Sequence, residues 1–169
     1  ARIKDLVSHA KELGMDSLAI TDHGAMFGVI DFYKECKKQG IKPIIGCEVY
    51  TAARRMTDKQ PDKDKHQGHL ILLAKDDKGY KNLIKIVSAG YIKGYYYKPR
   101  IDKEVLRQHS EGIIALSACL AGELPQAILR GDMDAADEII ERYKALFGED
   151  YYIEIQNNGI QEQVLANQK

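Results

Sequence analysis

The sequence predicts an α/β fold, with short apolar strands alternating with amphipathic helices and a sheet, open or closed into a barrel, covered by helices on its outside. Three observations carry this prediction. Short apolar runs recur between stretches whose apolar residues fall at helical spacing. Gly14 and Gly40 each follow such a stretch, where a helix needs a stop. The 169 residues suffice for one hydrophobic core and contain no internal repeat or low-complexity segment.

Taken in order, Ile3, Leu6, Val7, Ala10 and Leu13 mark a first helix ending at Gly14. Ser17–Thr21 reads as a short buried strand. Val29, Phe32, Tyr33 and Cys36 mark a second helix closed by Gly40, and Pro43–Tyr50 is the next strand. Residues 53–67 are rich in Lys, Arg, Asp and Gln without periodicity, which predicts an exposed loop or hairpin tip. His69 opens the strand His69–Ala74, and Tyr80, Leu83, Ile84, Val87 and Tyr91 mark the helix after it. A Tyr/Lys/Gly-rich connection over 93–100 leads to a short helix near 102–109. Gly112–Ala118 is a further strand, followed by helices around 123–130 and 134–147. Tyr151–Gln156 is the last strand, and a helix begins at Gln161. The alternation predicts that the strands run parallel.

Composition narrows the function classes. Hydrophobic residues make up 44% and charged residues 30%, and 25 basic side chains balance 25 acidic ones. That neutrality gives no general affinity for nucleic acid but permits a local basic patch. No apolar run is long enough to span a bilayer, and the first residues show no signal-peptide pattern. The 3 cysteines, Cys36, Cys47 and Cys119, form no CxxC pair, which fits a reducing, cytoplasmic setting.

In parallel α/β folds, functional groups gather at the C-terminal ends of strands. Asp22 and His23 follow the Ser17–Thr21 strand, Glu48 lies near the end of its strand, Cys119 follows Gly112–Ala118, and Glu154 and Gln156 lie toward the end of the last strand. His69 begins its strand, so it reaches the same pocket only if that strand is antiparallel or the preceding loop presents it. Imidazole, carboxylate and thiolate together suit zinc, iron or manganese. Each residue also has a plainer reading. Asp22-His23-Gly24 is a turn-forming run. His69 could be a hydrogen-bonded structural histidine and Cys119 a small buried hydrophobe. Glu48 could pair with a lysine, although a carboxylate in so apolar a strand is costly unless bound. His9 and His109 read as solvated, and His66 as an uninvolved loop residue. Tyr95–Arg100 offers an aromatic and basic surface, with Tyr96, Lys98 and Arg100 as nucleic-acid contacts, or else a partly packed loop.

Several segments resemble one family. Leu18-Ala19-Ile20-Thr21-Asp22-His23-Gly24, Gly40–Tyr50, His69–Ala74 and Gly79–Leu83 are similar to the PHP (polymerase and histidinol phosphatase) domain. Within that family they are most similar to the domain at the N-terminus of the bacterial DNA polymerase III alpha subunit. Lys98–Asp102, Leu116–Glu123 and Tyr152–Asn157 extend the resemblance nearly end to end. It implies a distorted seven-stranded β/α barrel holding up to three divalent ions. His23, Glu48, His69 and Cys119 would be metal ligands, Asp22, His23 and Glu48 catalytic, and Asp22 and Glu154 orienting groups or further ligands. Cys119 stands where many members have histidine. The family's first-strand His-x-His and its late Asp-x-His are absent, as are the polymerase domains. Residues 1–169 are therefore expected to form one partial PHP domain, cut at both ends, with an incomplete ligand set that holds fewer ions than the intact domain, down to none.

The resemblance implies a parent that is a DNA-directed DNA polymerase. Its partners would be DNA, proofreading and clamp components of the replicase, and no membrane. The domain would be a metal-dependent phosphoesterase of 3′–5′ exonuclease type or a structural module. A stand-alone phosphatase on a small phosphate ester and a non-catalytic docking platform are the alternatives.

Overall fold

The structure, a computed structural model, describes residues 2–169. Helix α1 (Ile3–Glu12) buries Val7 and Ala10 and ends before Gly14, and strand β1 (Ser17–Ile20) follows. Helix α2 (Val29–Gln39) buries Val29, Phe32 and Cys36. It stops at Gly40, whose φ of 75° is the left-handed conformation that lets the chain turn off a helix without a Cβ clash. These elements close a small core of Val7, Ile20, Val29, Phe32, Cys36 and Ile41.

Strand β2 (Lys42–Ala52) organises the sheet. Its first half pairs in parallel with β1, from Ser17↔Lys42 to Ile20↔Ile45. Its second half pairs antiparallel with β3 (Gln67–Ala74), and Tyr50 and Thr51 pair in parallel with β5 (Lys98–Ile101). Beyond β3 come β6 (Ile113–Leu116), antiparallel to it, and β7 (Tyr151–Tyr152), parallel to β6. With β4 (Tyr95–Tyr96) beside β5, the seven strands run β4-β5-β2-β3-β6-β7, with β1 on β2 alone, so pairing does not close the barrel among the described residues.

The sheet is thus mixed, which corrects the all-parallel expectation. The cause is the 53–66 connection: it holds only the short helix α3 (Pro61–Asp64) and returns the chain beside β2 in the opposite direction. That connection is also less free than its composition suggests. Asp64 is 1% exposed, and Arg54 grips it with Nε at 2.9 Å and Nη2 at 2.6 Å.

Helix α4 (Asp77–Ile92) is N-capped by Asp76, whose carboxylate accepts from the Gly79 amide at 2.8 Å. Gly79 packs so tightly on the backbone of Gly112 that any Cβ there would collide with the Gly112 carbonyl. The 93–100 connection contains a tight pair, β4 (Tyr95–Tyr96) against β5, turning at Tyr97 with φ 59°. Helices α5 (Lys103–His109), α6 (Glu123–Leu129) and α7 (Met133–Phe147) pack beside α4 and the sheet. The main core lies there, around Val49, Leu70, Leu72, Leu83, Ile86, Ile113 and Phe147. The last strand is shorter than expected: only Tyr151 and Tyr152 pair, and 153–156 run on as irregular chain toward α8 (Gln161–Asn167). No helix among the described residues is long and apolar enough to cross a membrane.

Candidate metal centre

Strand alternation decides which side chains meet. On β2 and β3 the paired residues Cys47↔Leu72 and Val49↔Leu70 face the main core. Glu48 and Tyr50, with partners Ile71 and His69, therefore face the opposite side. Because β3 is antiparallel, its beginning lies beside the end of β2, and His69 reaches the pocket from the start of its strand.

His23 arrives by extension of the β1–β2 ladder. The Glu48 amide donates to the Asp22 carbonyl at 3.1 Å and the Gly24 amide to the Glu48 carbonyl at 2.7 Å, bridging His23 to Glu48. Cys119 arrives from the turn after β6. There Ala118 has φ 62°, the Gly122 amide donates to the Cys119 carbonyl at 2.8 Å, and the His69 amide donates to the Ala121 carbonyl at 3.1 Å.

Four side chains converge. Oε1 of Glu48 lies 2.8 Å from Nδ1 of His23 and 2.7 Å from Nδ1 of His69. Sγ of Cys119 lies 3.4 Å from the same His69 nitrogen. Donor atoms of Glu48, His69 and Cys119 all fall within 4.8 Å of one another. Burial holds the His69 imidazole below its usual range; the Glu48 carboxylate opposes this, while His23 and Lys98 reinforce it. The His69 ring meets Tyr50 edge-on at 5.2 Å, and Lys98 Nζ sits 5.4 Å from the Tyr50 ring centre. Together His23, Tyr50, His66, Gln67, His69 and Lys98 line an open cleft of about 500 Å³.

A model of the PHP domain family matches residues 1–158. This chain belongs to the PHP domain family. It is 49% identical over 170 residues to DNA polymerase III subunit alpha of Borreliella burgdorferi, covering 100% of this chain and 15% of that protein. The Treponema pallidum protein of the same name is 49% identical over 163 residues, covering 95% of the chain and 14% of the relative. The Thermus aquaticus one is 46% identical over 172 residues, covering 99% and 14%. The chain thus spans about 15% of the length of the relatives it matches.

In this PHP domain the donor chemistry fits a divalent ion. Two imidazole nitrogens and a thiol crowd one carboxylate, an arrangement costly in a half-buried site unless a cation or shared protons balance it. Burial that keeps His69 neutral leaves a lone pair for a metal. Glu48, His69 and Cys119 are the residues that would hold the ion, and His23 adjoins them through Glu48.

Other expected site residues fall elsewhere. Asp22 alternates to the opposite side from its neighbour; its Oδ2 lies 3.4 Å from where a Cβ on Gly28 would sit, at the start of α2. Glu154 lies past β7. Its amide donates to Ser117 Oγ at 2.8 Å, its Oε1 accepts from Gln156 at 2.6 Å, and it shares a hollow of about 20 Å³ with Cys119. The Tyr96–Arg100 surface is corrected at Arg100, which is fully buried at 0% exposed. Its guanidinium donates to the carbonyls of Gly94, Met56, Asp58 and Asp64 at 2.8–3.2 Å, and it lies over the Tyr96 ring at 5.0 Å. An arginine spent on backbone carbonyls inside the fold is closed to a phosphate. Lys98 instead stands at the cleft.

Sequence reasoning left out Tyr50 and Gln67, and it set His66 aside as an uninvolved loop residue although it lines the cleft. The signal for Tyr50 was its place two residues after Glu48 on the same strand. His66 and Gln67 precede His69 on the segment that presents it.

Proposed function

We propose that this PHP domain is the metal-dependent phosphoesterase module of a DNA polymerase III alpha subunit and removes nucleotides from a 3′ end of DNA. The convergence of His23, Glu48, His69 and Cys119 at one point beside an open cleft carries the reading. A bound zinc, manganese or iron ion would supply Lewis acidity and an acidified water. Glu48 meets both imidazoles at Nδ1, so those nitrogens, the carboxylate and the Cys119 sulfur would be the donors to a bound ion once the nitrogens are free of protons. The His23 side chain, 72% exposed, borders the cleft, where its imidazole can ligate or take a proton. Lys98 places a cation at the cleft for a phosphate oxygen. The role in replication implies a cytoplasmic setting, with DNA and the proofreading and clamp components of the replicase as partners.

The test uses the full-length parent. Metal analysis after dialysis should find zinc, manganese or iron bound to the wild type and depleted in the double variant His23→Ala/Glu48→Gln. Release of nucleotides from a 3′-labelled oligonucleotide should fall with it, while primer extension persists. Wild type that binds no such ion sinks the proposal.

A second reading, a docking platform for the polymerase core and proofreading partner, is favoured by one surface. Phe27 and Ile92 are 85% and 79% exposed, and with Met26, Ile84 and Tyr91 they border an apolar hollow of about 310 Å³. Phe27→Ser/Ile92→Ser in the parent should weaken retention of the proofreading subunit or destabilise the polymerase. A variant unchanged in both removes this reading.

A further inference from the structure

A second cavity, of about 620 Å³, opens beside the metal cleft and shares His66 and Gln67 with it as a common wall. It lies where β2 ends and β3 begins, between the 53–66 connection and helices α6 and α7, with Thr51, Gly68, Glu123, Gln126 and Arg130 around it. Thr51 is 4% exposed, yet its hydroxyl has no hydrogen-bond partner. A buried hydroxyl left without a partner is costly, which marks a polar position awaiting a group. Gly68 leaves room above it: a Cβ there would lie 2.6 Å from Thr51 Oγ1 and 3.0 Å from Glu123 Cγ.

The charges point to the occupant. Glu123 is already engaged, accepting from Tyr143 Oη at 3.0 Å and from Arg142. Arg130 makes no side-chain hydrogen bond or ion pair among the described residues, so its guanidinium is free for an anion. Gln126 donates its amide to the Leu120 carbonyl at 2.6 Å, which orients its Oε1 as an acceptor, and Gln67 adds a second amide. Primary amides match the donor–acceptor edges of nucleobases, and a guanidinium matches a phosphate. The volume lies within the range of small-ligand sites.

We propose that this cavity is the subsite for the nucleotide adjoining the scissile phosphate, with Arg130 on its phosphate and Thr51, Gln67 and Gln126 facing its base and sugar. The substrate class is then a polynucleotide end, not a small phosphomonoester, which would leave the cavity unfilled. This rests on the phosphoesterase reading of the neighbouring cleft.

The experiment uses the full-length parent with manganese. Two phosphodiesters are compared: a 5′-phosphorylated thymidine dinucleotide, whose second phosphate is the one Arg130 would meet, and bis(p-nitrophenyl) phosphate, which has no nucleoside. Arg130→Gln should lower the preference for the dinucleotide, read as the ratio of kcat/KM values, by about tenfold, the scale of one charged hydrogen bond. The surface variant Arg107→Gln should leave that ratio unaltered. In a readout independent of turnover, a dinucleotide carrying 5-iodouracil should photocrosslink within residues 121–130 or 51–68, and lose that adduct in Arg130→Gln. Hydrolysis of both compounds with an unchanged ratio and crosslinks elsewhere overturns the subsite alone. Hydrolysis of neither overturns the phosphoesterase reading and the subsite with it.

Discussion

A single carboxylate oxygen of Glu48 lies 2.7 Å from Nδ1 of His69, although the two residues belong to antiparallel strands and are not direct partners in the ladder. The contact is diagonal, from Glu48 across to the partner of Tyr50, and it makes Glu48 the hub that also reaches His23 at 2.8 Å. Glu48→Gln keeps the shape but removes the charge. The parent protein should then bind its divalent ion at least about 100-fold more weakly, since loss of mere outer partners already costs 10–100-fold. Competition with a chelator of known affinity reads this directly.

Cys119 offers the thiol of the cluster, 3.4 Å from His69. The other two cysteines are built differently: burial pushes the Cys47 thiol up to about 12 and raises that of Cys36, so both are poor thiolates. Cys119→Ala should therefore strip metal, whereas Cys119→His, which restores a nitrogen donor, should retain it. Cys119→Asp should shift preference from zinc toward manganese, because hard oxygen donors suit the latter. Metal content of the three purified variants, loaded from an equimolar mixture, decides among these outcomes.

Much of this was legible in the sequence because its signals are local. Val7 and Ala10, or Phe32 and Cys36, repeat at helical spacing and are buried as that spacing requires. Strand ends pointed to His23, Glu48 and Cys119. What failed was non-local. The antiparallel course of β3 depends on how residues 53–66 fold back, and their polar composition concealed the Asp64 and Arg100 contacts that pin them. Asp22 was grouped with His23 by adjacency, but neighbours on an extended chain face opposite sides. Arg100 looked like surface chemistry because a charged residue is seldom fully buried, and only its four carbonyl partners make that burial tolerable.

Arg100 gives the next expectation. Its guanidinium ties β5 to the connection that carries His66 toward the cleft. Arg100→Met would fill comparable space but leave the carbonyls of Gly94, Met56, Asp58 and Asp64 without a donor. A cost of about 3–5 kcal/mol is expected, as for other buried charged networks cut on one side. Cleavage by trypsin at Lys59, Lys63 and Lys65 should accelerate well before the rest of the domain is cut. Unchanged cleavage at these lysines would mean that the connection is held by other contacts.

Asp64 makes the same connection sensitive to acid. Its carboxyl is held below the ordinary carboxylate range, first by the hydrogen bonds from Arg54, then by the Gln60 amide and the nearby charges of Arg54 and Arg100, against the opposing effect of burial. A carboxylate with a depressed folded-state value binds fewer protons folded than unfolded. Its stabilising contribution is therefore complete above the ordinary carboxylate range, at neutral pH, and is lost as pH falls through that range to the depressed value. Hydrogen exchange at amides 54–66 should stay slow from pH 7 to 5 once corrected for intrinsic rates, and opening should begin below that window. Asp64→Asn keeps one acceptor but loses the charge. It should exchange faster across the whole range and show no acid step of its own, so an acid step that persists in Asp64→Asn would assign the transition to another carboxylate.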